Sequence, residues 1–185
     1  MSERDNDYAD TSALPGRVAQ AALLAARFGF RNSSAIVYAP LLQMLAAQVR
    51  GGVIAEMGTG VGVGTAWMAL AMSSDSRLVT IEKDAPRAHA VAELFADDPR
   101  ITVLRGDALD IAAHGPFDFV YCDAGPGKIE RQEVTLAMTR PGGVILLDDL
   151  SPTRTDLAWW LRCPDVVTAT IWLTPELGAI LAVRR

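Results

Sequence analysis

The chain has 185 residues, half of them hydrophobic and 21% charged, with a formal net charge of -5. That length fits one domain able to bury about 70% of its unfolded surface, and the apolar content argues against global disorder. The acidic balance argues against a protein held to nucleic acid by bulk electrostatics, without excluding a local basic patch.

Cys122 and Cys163 have no metal-type spacing and read as reduced, mostly buried thiols. No apolar stretch reaches the ~18 residues of a membrane span. Met1–Thr11 is polar and acidic, unlike a signal peptide, so the expected location is the cytoplasm. Residues 1–12 read as a frayed tail and 13–185 as a single domain, opening with two helices over about 13–50.

In chain order, Val18, Ala22, Leu23 and Ala26 recur at helical spacing behind Pro15, which suits a first turn. Asn32, Ser33 and Ser34 read as the start of a second helix that Gly51 and Gly52 end. Strand and helix patterns then alternate. Val53–Met57, Leu78–Glu82, Ile101–Arg105, Phe117–Asp123 and Gly143–Leu147 read as strands. Between and after them come helices over Thr65–Met72, Pro86–Phe95, Ile129–Met138 and Thr155–Arg162, with a helical turn near Leu109–Ala113. Val166–Leu173 and Gly178–Val183 read as a terminal hairpin. The alternation predicts an α/β fold, a doubly wound and mostly parallel sheet with one antiparallel strand from the hairpin.

The turn from Glu56 to Gly64 carries Gly58, Gly60, Gly62 and Gly64 between a strand and a helix. Glycines there allow a tight bend and a close backbone approach to a ligand. Glu82 ends the next strand, where an acid can accept both ribose hydroxyls; an exposed strand-end carboxylate is the plainer reading. Asp107, in Gly106-Asp107-Ala108, could read an adenine edge or simply cap a helix. Glu56 suits a cationic amino group better than a pyrophosphate. That favours an amino-acid-bearing nucleoside over a dinucleotide.

These residues together resemble the cofactor motifs of class I S-adenosylmethionine-dependent methyltransferases, over roughly residues 30–185. The resemblance implies a Rossmann-like seven-stranded sheet whose last strand is reversed. It implies that Glu56 faces the methionyl end, Glu82 the ribose and Asp107 the adenine. Asn32–Val37 resembles the segment that closes over the cofactor, which adds Asn32 and Ser33. Gly58, Thr59, Gly60, Gly64, Thr65, Lys83, Ala108 and Asp123 complete the expected binding set.

Asp123 follows the fourth strand, and Asp148 and Asp149 follow the fifth. If those strands are neighbours about 4.8 Å apart, their carboxyl ends converge. Three carboxylates then repel unless a cation or proton intervenes, and oxygen ligands suit Mg²⁺ or another hard divalent ion. Alternatively Asp149 or Ser151 caps a helix and Asp123 holds a loop amide. Phe117–Asp123 and Gly142–Asp149 resemble the catechol and caffeoyl-CoA O-methyltransferase family, in which an Asp and an Asp-Asn pair surround a divalent cation. Here Asp149 replaces the Asn, and Pro126 replaces the family lysine, leaving Lys128 as the nearest one.

The implied reaction is methyl transfer to a hydroxyl of a small molecule, with Asp123 and Lys128 as candidate catalytic residues. A solvated helix-start lysine is the other reading of Lys128. Trp159 and Trp160 could wall an aromatic acceptor pocket or pack in the core, and Trp67 reads as core. His89 and His114 carry no assigned chemistry. A nicotinamide-dependent oxidoreductase would use Glu82 equally well but leaves Glu56 and Asp107 without a role, and a non-catalytic binder of the methyl donor needs no acidic cluster. The apolar N-terminal helices could pack against a second copy.

Overall fold

In the computed structural model, which describes residues 8–185, seven strands form one sheet in the order β3-β2-β1-β4-β5-β7-β6. They are β1 (Val53–Met57), β2 (Arg77–Glu82), β3 (Ile101–Arg105), β4 (Phe117–Cys122), β5 (Thr139–Leu150), β6 (Val166–Trp172) and β7 (Gly178–Arg184). The pairings from β3 through β5 are parallel, and β7 runs antiparallel to both of its neighbours. The expected fold class is observed, with its single reversed strand. After β1 the chain winds outward to β3, then returns to place β4 on the other side of β1. The crevice of a doubly wound sheet lies at this reversal, beyond the carboxyl ends of the strands.

Side-chain alternation along the central strands feeds two cores. Ile54, Phe119 and Leu146 face one, with Leu42 and Met68. Ala55, Val120, Ile145 and Leu147 face the other, with Phe117 and Trp160. Strands buried on both faces read as continuous apolar runs, as these do.

The helices are α1 (Gly16–Phe28), α2 (Ala39–Gln48), α3 (Val63–Ala71), α4 (Ala85–Leu94), α5 (Gln132–Met138) and α6 (Ala158–Arg162). Helix α1 ends on Gly29, whose left-handed φ of 60° lets its amide reach the last carbonyls. Helix α2 starts later than Asn32–Ser34 suggested: Pro40 lies in its first turn, behind a 3₁₀ turn at Ile36–Tyr38. Residues 30–35 are thereby free of helix. The helix expected over Ile129–Met138 is divided, with a π-turn at Pro126–Glu130 preceding α5. Strand β5 outruns its expected length and carries Asp148 and Asp149 within it.

Of the tail expected over residues 1–12, residues 1–7 lie outside the described residues. Tyr8 is held, its hydroxyl donating to the Ser34 carbonyl at 2.7 Å and accepting from the Trp67 indole at 3.3 Å. Among the described residues no helix is long and apolar enough to cross a membrane.

Candidate functional site

The bend after β1 is closed by backbone bonds from the Gly58 and Thr59 amides to the Ile81 carbonyl, at 3.2 and 3.0 Å. Gly60 has a left-handed φ of 57°, and a Cβ there would stand 2.9 Å from the Phe30 ring. Only glycine combines that backbone with that contact. At Gly64, in the first turn of α3, a Cβ would stand 2.4 Å from Glu56 Oε1. The missing side chain leaves one hydrogen between the cavity and the carboxylate.

Glu56 is buried at the end of β1. Its Oε2 accepts from the Thr65 hydroxyl and, at 2.6 Å, from Thr80, while its Oε1 has no partner. Burial pushes its pKa up to about 7 against the lowering effect of the two threonines, with the Glu82 charge adding to the rise. Glu82 closes β2 in a denser network. Its Oε2 accepts from the Gly60 amide at 2.9 Å, and its Oε1 from the Asp84 amide at 2.9 Å and from Arg87 at 2.8 Å. The Arg87 guanidinium lies 4.9 Å from the centroid of the Phe30 ring. Asp107 takes the capping role: its Oδ1 accepts from the Leu109 amide at 3.1 Å, and its own amide donates to Asp110. It also lines the cavity.

At the other end of the cavity, β4 and β5 bring Asp123, Asp148 and Asp149 together, with one oxygen of each within 4.8 Å of the others. The Lys128 side chain enters this cluster from the π-turn. Its Nζ bonds to Asp148 and lies 3.8 Å from both Asp123 and Asp149. Burial opposes the ammonium charge, but Asp148, Asp123 and Asp149 together hold the Lys128 pKa above its ordinary value. Burial likewise favours a neutral Asp148, yet the Lys128 charge and hydrogen bond hold that carboxyl below the usual range. Asp123, 19% exposed, is pushed well up by burial and by the Asp148 charge.

Behind the cluster, the Tyr121 hydroxyl donates to Asp148 Oδ2 at 2.8 Å. Burial, with Asp123 and Asp148 nearby, holds this phenol well above its ordinary pKa, so it keeps its proton. Since that proton goes to Asp148, the Ser34 hydroxyl 2.7 Å away must be the donor to Tyr121. Asp149 has a left-handed φ of 61°, a backbone that Asn and Asp tolerate better than most residues. Its amide donates to the Tyr38 hydroxyl at 2.9 Å.

A single cavity of about 460 Å³ joins the two ends. Of the expected binding set it is lined by Asn32, Ser33, Gly58, Thr59, Gly60, Gly64, Glu82, Lys83, Asp107, Ala108 and Asp123, and also by Asp148 and Asp149. Three expected residues stand outside the lining. Glu56 and Thr65 lie behind Gly64, and Lys128 lies behind the acidic wall. Trp159 and Trp160 pack edge to face at 5.0 Å in the core below and do not reach the cavity. Phe30, Arg87 and Tyr121 stand at the site without having been among the expected residues. Arg87 had a detectable signal, a basic residue one helical turn beyond a strand-end acid.

Two cavity-lining polar atoms, Ser33 Oγ and Arg87 Nε, are buried without a partner. Buried polar groups are nearly always satisfied, so these two call for a partner from a ligand or an ordered water in the cavity.

The sequence matches the methyltransferase-domain family over residues 55–150, more than half of the chain, and the chain belongs to that family. A catechol O-methyltransferase of Niastella koreensis is 36% identical over 120 residues, 59% of this chain and 54% of that protein. A catechol O-methyltransferase of Mycobacterium tuberculosis is 31% identical over 116 residues, 59% and 53% of the two chains. The chain thus spans about half the length of the curated relatives it matches. Among solved structures, the O-methyltransferase TomG of Streptomyces achromogenes, in complex with S-adenosylmethionine, is similar with a TM-score of 0.76 at 25% identity. That likeness covers 100% of this chain and 99% of the other. An O-methyltransferase of Bacillus cereus bound to S-adenosylhomocysteine shares the fold with a TM-score of 0.77 at 22% identity, over 97% and 96% of the chains.

Proposed function

We propose that this chain is an S-adenosylmethionine-dependent O-methyltransferase that acts on a hydroxyl of a small molecule. The observation that carries this reading is the cavity itself. Glu82 and Asp107 flank one end, an acidic cluster closes the other, and two buried polar atoms between them have no partner. The relatives named above support the donor and the class of acceptor.

The residues fit the methyl donor. Glu82 would accept the ribose hydroxyls, exchanging its bond from Arg87 for them. Asp107 and Ala108 would border the adenine, and Ser33, Asn32 and Lys83 would close the cavity over it. Glu56 would act from behind Gly64, its unpaired Oε1 offering negative charge to a cationic amino group. When bound, S-adenosylmethionine supplies an electrophilic methyl group on a sulfonium. The protein's contribution is alignment, which can be worth on the order of 7–11 kcal/mol.

An acceptor hydroxyl is a poor nucleophile until it loses its proton. Asp123 is the group placed to take it: it lines the cavity, and burial with the Asp148 charge raises its pKa while Lys128 lowers that of Asp148, so of those two Asp123 is the better proton acceptor. Lys128 is set back from the cavity, so its part is to hold the aspartates rather than to meet the acceptor. The three carboxylates are the ligand type a Mg²⁺ ion takes. The cluster as built does not fit one, because the Lys128 ammonium already stands among them.

Transfer of labelled methyl from S-adenosylmethionine to a panel of phenols and catechols tests the proposal. Product with the wild type, and its loss in Asp123→Asn, is the expected result. Tight cofactor binding without product from any acceptor would instead assign the chain a binding role.

A further inference from the structure

The acidic end of the cavity poses a charge problem that the fold answers with its own side chain. Three aspartates with oxygens within 4.8 Å of one another repel unless a cation or a proton stands among them. We infer that the Lys128 ammonium is the resident cation of the Asp123–Asp148–Asp149 cluster, and that the chain takes no divalent ion there. This rests on the methyltransferase reading for its chemical meaning, though not for its geometry.

Several independent contacts build Lys128 into that place. Its side chain is 3% exposed, bonded to Asp148 and equidistant, at 3.8 Å, from Asp123 and Asp149. Its backbone is fixed as well: the Trp160 indole donates to the Lys128 carbonyl at 2.9 Å. The turn that delivers it is packed tightly against β1. A Cβ at Gly127 would stand 2.3 Å from the Met57 methyl, and the Thr135 hydroxyl donates to the Gly127 carbonyl at 2.9 Å. The π-turn closes with the Arg131 amide on the Pro126 carbonyl at 2.8 Å. A lysine merely drifting into an acidic cleft would need none of this.

The second oxygen of Asp148 is also engaged, accepting from Tyr121. A divalent ion would have to displace the ammonium or sit beside it, and like charges this close in a buried site repel strongly. Removing the lysine should therefore open a divalent-cation site.

The test is a titration of free Mn²⁺ by electron paramagnetic resonance with the wild type and with Lys128→Gln. Thermal unfolding with and without Mn²⁺ and calorimetry with S-adenosylhomocysteine accompany it. The wild type should leave the free-ion signal and its melting temperature unchanged. Lys128→Gln should bind Mn²⁺ about tenfold or more tightly than the wild type, and its melting temperature should rise with the ion. Stoichiometric Mn²⁺ binding by the wild type, whether or not it equals that of the variant, would overturn the inference. So would a variant that binds S-adenosylhomocysteine, and is therefore folded, yet gains no affinity for Mn²⁺. If the variant does not fold even with Mn²⁺, the wild type decides: ion binding or a raised melting temperature overturns the inference, and neither supports it. Absence of S-adenosylhomocysteine binding by the wild type would count against the proposed function alone.

Discussion

The indole of Trp160 donates to the main-chain carbonyl of Lys128 across 2.9 Å, although 32 residues separate them. The contact ties α6 to the turn that carries the buried ammonium. Trp160 is itself fully buried, so its ring supplies core volume and its N–H positions the lysine. Trp160→Phe removes both the donor and part of the ring. A buried carbonyl left unpaired and a cavity together should cost about 2–4 kcal/mol. Urea unfolding should show a lower midpoint at unchanged slope; an unaltered midpoint would show that the contact contributes nothing.

The titration of Glu56 gives stability a particular pH dependence. Its carboxyl has a folded pKa of about 7 against an ordinary value of 4.5. The folded state therefore holds its proton more tightly than the unfolded state. The resulting stabilisation is fully present below pH 4.5, declines as pH rises, and is lost above pH 7. The loss is on the order of 3 kcal/mol. Glu56→Gln does not titrate, so relative to the wild type it should gain in melting temperature as pH is raised through that window. A difference independent of pH would refute the buried-acid account.

Glu82 should matter more to ligand than to fold. Glu82→Gln keeps the shape but removes the charge that accepts from Gly60 and Arg87 and, on the proposed reading, from two ribose hydroxyls. Charge-assisted bonds of this kind are worth ~1.5–3 kcal/mol. Affinity for S-adenosylhomocysteine should fall about 10- to 150-fold, measured by calorimetry. A change within twofold would remove Glu82 from the binding site.

Tyr38 braces the other end of the cavity. Its hydroxyl donates to the Gly178 carbonyl at 2.7 Å and accepts from the Asp149 amide at 2.9 Å. Tyr38→Phe leaves both buried groups without that partner, at a cost of ~1–3 kcal/mol in stability. Because it also frees the left-handed Asp149 backbone, methyl transfer should slow more than cofactor affinity weakens. Equal losses in both would mean that Tyr38 serves the fold alone.

Much of this architecture was legible because its signals are local. The alternation of short apolar runs with helical spacing specified the parallel sheet, and the terminal pair of β-rich runs specified the reversed strand. The Glu56–Gly64 bend announced itself by its glycines, of which Gly58, Gly60 and Gly62 take positive φ. Convergence of Asp123 with Asp148 and Asp149 followed from strand adjacency. What sequence could not show depends on tertiary direction. Lys128 reads either as a candidate catalytic residue or as a solvated helix-start lysine, because nothing local reports that Gly127 lets the π-turn press against Met57 and drive the next side chain inward. Phe30 and Arg87 meet at Glu82 from segments more than fifty residues apart; Phe30 carries no motif, and the placement of Arg87 after a strand-end acid is only a weak signal. The Asn32–Ser34 run imitates a helix start, yet Pro40 sets the true first turn of α2 and leaves the run free of helix along the cavity wall.

The measurement closest to the centre of this account is calorimetric titration of the purified protein with S-adenosylhomocysteine, alongside NADH. One-to-one binding of the nucleoside, abolished or much weakened in Glu82→Gln, with no heat from the dinucleotide, is the predicted result. No binding of either S-adenosylhomocysteine or S-adenosylmethionine would contradict it, because the bend after β1 would then hold no methyl donor.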